Sequence, residues 1–174
     1  MTRDPIRPAL PEDLRLLPGI ERAAAARFPD HVLSAEARAA VQSFEALEAA
    51  RADGRLWVAV SGRGAPVGFA IAEVADGVGF LVEVDVHPDH QGRGLGRALV
   101  ETVVDWARRE GLPAVTLTTF ASLPWNAPFY ERLGFRRLAG AERGERLAAL
   151  LRDEARRGLR DRVAMRLDLG GRVA

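Results

Sequence analysis

The spacing of apolar positions along the chain changes several times, and each change marks an element. An extended opening at Pro5 to Ala9 predicts a short strand, and helix signals begin at Pro11, with Glu12 and Asp13 in a first turn where the helix dipole favours acids. Behind Ser34, a natural N-cap, Ala37, Ala40, Val41, Phe44 and Leu47 keep one helical spacing, which predicts a second helix running to the Asp53-Gly54 stop. The period then changes to that of strands at Leu56 to Val60, Val67 to Val74 and Gly79 to Val86. Gly62-Arg63-Gly64 and Asp76-Gly77 between them read as hairpin turns, so the three form an antiparallel meander. Leu95, Ala98, Leu99, Thr102, Val103 and Trp106 return to steps of three and four along one helix face, ended by Gly111-Leu112-Pro113. A strand at Ala114 to Thr119, a short helix near Pro128 to Leu133 closed by Gly134, and a strand at Phe135 to Leu138 extend this into a βαβαβ run. A charged amphipathic helix at Gly144 to Arg157, with Leu147, Leu150 and Leu151 on one side, and a strand at Val163 to Leu169 complete the pattern. The alternation is continuous and without repeats, so the expectation is one α/β (α+β) domain over residues 1–174, its core at about 5–169: a mixed sheet flanked by helices.

Composition removes several chemistries. The chain has 174 residues, no cysteine and no lysine; its 25 basic residues are all arginine, set against 24 acids for a net charge of +1. There is no thiol nucleophile, disulfide, zinc ribbon or iron–sulfur cluster, and no Schiff-base or P-loop lysine. Near-zero net charge argues against nucleic acid as a partner. The apolar runs are too short for a membrane span, and the opening MTRDPIRPAL has no apolar leader, so the expected location is cytoplasmic, with no membrane partner. His87, Asp89 and His90 are not read as a metal site, because Pro88 forces a turn among them and a third ligand group is not evident; the expectation is no metal.

The richest stretch in chemical terms is Val84-Asp85-Val86-His87-Pro88-Asp89-His90-Gln91-Gly92-Arg93-Gly94-Leu95-Gly96-Arg97, which runs from strand through turn into helix. Glycines at 92, 94 and 96 let backbone approach a ligand, and the first-turn amides of the following helix lack intrahelical partners. The helix dipole and Arg93 and Arg97 add positive charge at the same end. The arrangement is a phosphate or pyrophosphate cradle. A dinucleotide fingerprint does not fit, because its third glycine would fall on Arg97 in one register and Leu99 in the other.

Gln91, Gly94 and Gly96 resemble the acyl-CoA signature Gln/Arg-x-x-Gly-x-Gly/Ala of the GNAT superfamily of N-acetyltransferases. Phe129-Tyr130-Glu131-Arg132-Leu133-Gly134-Phe135 resembles its second signature, and Ile6-Arg7-Pro8-Ala9 with Glu12-Asp13-Leu14 is similar to its usual opening. The resemblance spans about residues 5 to 169. It implies a mostly antiparallel sheet of about six to seven strands, acetyl-CoA as acyl donor and an amine as acceptor. It implies also that Gln91, Gly92, Arg93, Gly94, Leu95, Gly96 and Arg97 hold the cofactor's phosphates, and that Val84, Asp85 and Val86 bind its pantetheine arm through their backbone. Tyr130 would be the general acid for the departing thiol; its bland alternative is an aromatic packed beside Phe129 and Phe135. Where relatives often carry an asparagine seven residues before this tyrosine, the chain has Leu123. Asn126, four before, either reaches the cofactor by another route or caps the short helix.

An amine near pKa 10 must lose a proton before it attacks a thioester. On the strand before the turn, alternation places Val82, Val84 and Val86 on one face and Glu83, Asp85 and His87 on the other. Glu83 is the first candidate for the base, through water, and Asp85 the second, although a half-exposed strand shows the same alternation. Some relatives place a glutamate on the next strand, where this chain has Thr116, Thr118 and Thr119. Without cysteine, direct attack in a ternary complex is expected rather than an acyl-enzyme. A non-catalytic acyl-CoA sensor is the alternative reading. The acceptor, a small molecule or a peptide, should be shaped by the loop around Arg27 to Leu33 and by Trp125; Glu73, Glu83 and Asp85 hint at a cationic amine. The helix at 144–157 either shapes that pocket, packs peripherally or forms a homodimer interface.

Overall fold

The computed structural model describes residues 6–170; Pro5, expected to start the first strand, lies outside them. In chain order the elements are β1 (Ile6–Pro8), α1 (Leu17–Ala25), α2 (Ala35–Ala39), α3 (Phe44–Ala52), β2 (Leu56–Val60), β3 (Pro66–Ala75) and β4 (Val78–Val86). They are followed by α4 (Leu95–Arg109), β5 (Ala114–Phe120), α5 (Ala127–Glu131), β6 (Arg136–Arg137), α6 (Gly144–Arg156) and β7 (Arg162–Asp168). The seven strands form one sheet in the order β1-β2-β3-β4-β5-β7-β6. Only β4 and β5 run parallel; the other pairings are antiparallel, so the mixed, mostly antiparallel sheet is as expected. Among the described residues no helix is long and apolar enough to cross a membrane.

Each face of the sheet buries its own apolar layer. On one, α4 packs Leu99, Val100, Val103 and Trp106 against Trp57, Ala70 and Val115. On the other, α1 and α3 set Leu17, Ile20 and Leu47 against Val58, Phe69 and Ile71. Burial at roughly 25 cal/mol per Å² of apolar surface makes these layers the main source of cohesion.

Several elements depart from the sequence pattern for visible reasons. The chain from Pro11 first makes a 3-10 turn, Pro11–Asp13, and the α-helix begins only at Leu17. Asp13 accepts the Leu10 amide at 2.8 Å and pairs with Arg7 at 2.6 Å, so the acid ties β1 to this turn rather than serving a helix dipole. The helix expected from Ser34 to Asp53 is two helices. Ser34 and Ser43 each cap one through Oγ, accepting Ala37 N at 3.2 Å and Ala46 N at 3.1 Å, and Ala40 between them is extended, with ψ 135°. The expected strand at 135–138 shortens to Arg136–Arg137, and β7 inserts between β5 and β6, so the βαβαβ run does not place β6 beside β5.

The sheet opens between β4 and β5. They pair only at Gly79 with Val115 and Phe80 with Thr116, then part. At that junction Gly79 permits the close approach: a Cβ there would lie 3.3 Å from Val115 Cγ2 and 3.4 Å from the Trp106 ring. Just beyond, β4 bulges, since Ile71 faces Glu83 while Ala72 faces Leu81 and Val82 is skipped. The bulge corrects the simple alternation, because Val82 packs on the α1 side whereas Val84 packs on the α4 side. A bulge next to a splayed strand pair leaves the last turns of β4 lining a wedge.

Candidate active site

The wedge holds two adjoining cavities. The larger, of about 610 Å³, lies toward the N-terminus of α4 and is lined by Gln91, Gly92, Gly94, Leu95, Gly96 and Arg97 together with Val84, Asp85 and Val86 of β4. Gly92 and Gly94 have φ of 74° and 81°, which glycine adopts without the cost a side chain brings. Gly94 immediately precedes α4, so the unpaired amides and positive dipole end of a 15-residue helix face this cavity. The loop is pinned by Gln91, whose Nε2 donates to Val86 O at 2.8 Å. That side chain thus shapes the cradle rather than pointing outward to a ligand. Arg97 lines the cavity, but Arg93 does not: its Nη2 turns back to Asp89 O at 3.4 Å.

The second cavity, of about 290 Å³, lies on the α1 side. Here Glu83 and Asp85 of β4 meet Glu21 of α1, and carboxylate oxygens of the three lie within 4.8 Å of one another. Burial is the leading cause that raises all three above the ordinary carboxylate range, and mutual repulsion adds to it for Glu83 and Asp85; Glu83 is pushed up to about 7. Glu21 is fixed by accepting Gln42 N at 2.9 Å, an amide freed by the break between α2 and α3.

Behind these acids, Arg162 of β7 donates to both oxygens of Glu154 of α6 at 3.0 and 3.1 Å and to Thr118 Oγ1 at 3.2 Å. Thr118 in turn donates to Glu154 at 2.6 Å, and the guanidinium lies 4.5 Å from the centre of the Phe120 ring. The expected inserted helix, α6, therefore walls this cavity, with Leu150 and Glu154 on its lining.

Five residues, Phe28, Val84, Asp85, Asn126 and Tyr130, line both cavities. Tyr130 is held edge-on between Phe129 and Phe135, with ring centroids at 5.1 and 5.7 Å. Burial first, then Glu83 and Asp85, pushes its phenol well above the usual value, so it stays protonated. Asn126 does not cap α5 with its side chain; Nδ2 donates to Thr119 Oγ1 at 3.0 Å and Oδ1 is buried without a partner. Of the two segments expected to shape the acceptor side, Phe28 lines both cavities but Trp125 lines only the larger one; their ring centroids stand 6.3 Å apart.

Sequence reasoning missed Glu21 and Glu154. Both left a trace: Glu21 falls four residues after Leu17 on the buried stripe of α1, and Glu154 extends the Leu147, Leu150, Leu151 stripe of α6. An acid on the apolar side of an amphipathic helix is a signal of a paired or functional group.

A family model described as the acetyltransferase (GNAT) family matches residues 18–135. The [ribosomal protein bS18]-alanine N-acetyltransferase of Escherichia coli strain K12 is 39% identical over 67 residues, 38% of this chain and 45% of that relative. A glucosamine 6-phosphate N-acetyltransferase of Trypanosoma brucei brucei is 39% identical over 59 residues, 34% of this chain and 38% of that relative. The matched stretch thus spans less than half the length of either. Among solved structures, a Mycobacterium tuberculosis protein in complex with CoA and NLQ superposes with a TM-score of 0.70 at 22% identity, covering 95% of this chain and 99% of that one. The E. coli ribosomal-protein-S18-alanine N-acetyltransferase superposes at 0.68 and 23%, covering 98% and 97%. These likenesses are of fold.

Proposed function

As the chain belongs to the GNAT acetyltransferase family, we propose that its described residues form one catalytic domain that moves an acetyl group from acetyl-CoA to a primary amine by direct attack. The observation that carries this reading is the shared wall: an anion-binding cleft and an acid-lined cavity meet at Val84, Asp85, Asn126 and Tyr130. A donor bound in one can be reached only across that wall by an acceptor bound in the other.

In this reading the α4 amides, Gly92, Gly94 and Arg97 bind the phosphates of CoA. Backbone groups of Val84 to Val86, beside the gap where β4 and β5 part, hold the pantetheine arm and polarise the thioester carbonyl. The buried, unpartnered Asn126 Oδ1 fits an amide N–H of the bound donor. Glu83, with Asp85 beside it, takes the ammonium proton; a carboxyl near 7 is half ionised at neutral pH, the poise a general base needs. The amine nitrogen then bonds to the acetyl carbon, the carbon–sulfur bond breaks, and the departing sulfur takes the Tyr130 proton. Tyr130 recovers its proton from solvent as the new amide sheds its own to the carboxyl cluster.

Thiol release from acetyl-CoA across a panel of primary amines tests the proposal, alongside the melting shift given by CoA. Amine-dependent release supports it; a CoA-stabilised protein that releases no thiol with any amine is an acyl-CoA sensor instead.

A further inference from the structure

We infer that Glu21, Glu83 and Asp85 form a three-point seat for the ammonium of a small primary amine whose body carries no carboxylate. The inference rests on the acetyl-transfer reading for what happens next, but its geometry stands apart from it. A primary ammonium has three N–H donors at tetrahedral angles. With N···O distances of about 2.8 Å, as in charge-assisted bonds, the three acceptors would stand about 4.6 Å apart. The three carboxyls offer oxygens within 4.8 Å of one another. Among the described residues none of the three forms an ion pair, whereas Glu154, the other acid of this cavity wall, is paired with Arg162. Glu21 is nine-tenths buried, and a buried carboxyl without a cation calls for one from the ligand.

The body of the acceptor is constrained by what the cavity lacks. Its two guanidinium groups are both engaged: Arg162 chelates Glu154 through two nitrogens, and Arg157 pairs with Asp153 at 2.8 Å. A substrate carboxylate would face three acids and would have to draw a guanidinium away from an existing pair. The rest of the lining mixes apolar side chains, Phe28, Leu33, Phe120 and Leu150 among them, with the uncharged Gln42 and Thr119. Size is limited by a clasp between the α1–α2 loop and the chain joining α6 to β7. Leu33 bridges Leu159, Ser34 N donates to Gly158 O at 3.0 Å, and Arg160 N donates to Val32 O at 2.7 Å. Leu33 and Leu159 of this clasp lie on the cavity lining, so it bounds the space beside the three acids. A cavity of about 290 Å³ is at the small end for ligand sites.

The test measures binding by calorimetry to the full chain saturated with CoA, which cannot be turned over. Two pairs share a body and differ in one carboxylate: phenethylamine with phenylalanine, and pentylamine with norleucine. Phenylalanyl-glycyl-glycinamide keeps the amine and ring, has no carboxylate and adds length. The amines should bind at least ~100-fold tighter than their amino acids, since like-charge juxtaposition without a partner is strongly unfavourable. The peptide amide should bind as weakly as the amino acids. Glu21→Gln, which still accepts the Gln42 amide, should melt no lower than the parent and weaken amine binding ~tenfold. Amino acid or peptide amide binding as tightly as the amine, neither amine binding at all, or parent affinity in E21Q would each overturn the seat. Turnover is read separately with acetyl-CoA. The expected binding order without thiol release overturns the proposed reaction and keeps the seat; thiol release confined to amino acids or peptides does the opposite.

Discussion

The side-chain amide of Asn126 donates to the Thr119 hydroxyl at 3.0 Å, which turns Oδ1 of the same residue into the wall between the two cavities, buried and unpartnered. Of the two roles the sequence leaves open for this asparagine, capping α5 is therefore set aside. A buried acceptor without a partner costs about 1–3 kcal/mol, regained when a ligand N–H arrives. Asn126→Ala should raise KM for acetyl-CoA about tenfold, the equivalent of one such bond, with a smaller effect on kcat. Steady-state thiol release at varied acetyl-CoA checks this, and an unchanged KM would mean that Oδ1 meets no donor ligand.

Tyr130 sits on the same wall with its phenol kept protonated by burial and by Glu83 and Asp85. Tyr130→Phe keeps the ring and its edge contacts with Phe129 and Phe135 but removes the proton. Turnover should fall roughly 10²-fold or more, the usual worth of a positioned acid, while CoA still raises the melting temperature as in the parent. Equal turnover in the two proteins would remove Tyr130 from the chemistry.

Glu83 has opposite consequences for rate and stability. Its carboxyl, raised to about 7, is competent as a base only when ionised, so kcat/KM should climb with pH through about 7 and level off above it. Glu83→Gln should lose that limb and most of the activity. For stability, the folded state holds a proton that the unfolded chain releases near its ordinary value, so the contribution is present at low pH and is lost as pH rises through 7. Glu83→Gln should accordingly match the parent at pH 4 and melt higher at pH 8, by up to roughly 3 kcal/mol for a shift of this size. Urea titrations at the two pH values give the comparison.

How far the sequence reaches can be judged from individual residues. The glycine turn at Gly92 and Gly94 and the aromatic setting of Tyr130 are legible because they depend on neighbours a few positions away, as do the α4 stripe and the Asp76-Gly77 turn. The bulge at Val82 is not legible, because it is a mismatch between β3 and β4 rather than a property of either strand. Nor is the insertion of β7 between β5 and β6, or the junction at Ala40, where two serine caps override one continuous apolar spacing. The acids of the smaller cavity show the same division. Glu83 is found by alternation on its own strand, but its partner Glu21 is 62 positions earlier in the chain, and Glu154 reaches Thr118 across 36. The next strand does receive a glutamate beside Thr118; it arrives from α6.

Arg162 and Glu154 form the most enclosed ion pair of the described residues, with side chains 13% and 6% exposed. Removing one partner leaves the other charge buried, at a cost of about 3–5 kcal/mol, whereas replacing both by apolar groups of similar volume is often close to neutral. Arg162→Met should therefore be strongly destabilising, and Arg162→Met with Glu154→Leu should recover most of the loss. Double-mutant denaturation curves measure the coupling, and additive losses would show that the pair acts through packing alone.

The clasp beside the smaller cavity depends on Gly158. Its φ is 88°, and a Cβ there would lie 2.3 Å from Ser34 Oγ and 2.7 Å from Ser34 Cβ. Gly158→Ala must displace Ser34, whose amide donates to Gly158 O at 3.0 Å and whose Oγ caps α2. The expected loss is about 2–3 kcal/mol, adding left-handed strain of about 1–2 to the cap's ~1. Gly111→Ala is the matching control, since its φ is 70° but the space beside it is open, so it bears the strain alone. The two variants should separate in function as well. Gly111→Ala should keep the parent's preference for phenethylamine over phenylalanyl-glycyl-glycinamide, and Gly158→Ala should narrow it, because the edge that excludes the longer acceptor has been pushed open. If Gly158→Ala lowers the melting temperature further than Gly111→Ala yet leaves that preference intact, the clasp stabilises the fold without setting acceptor size.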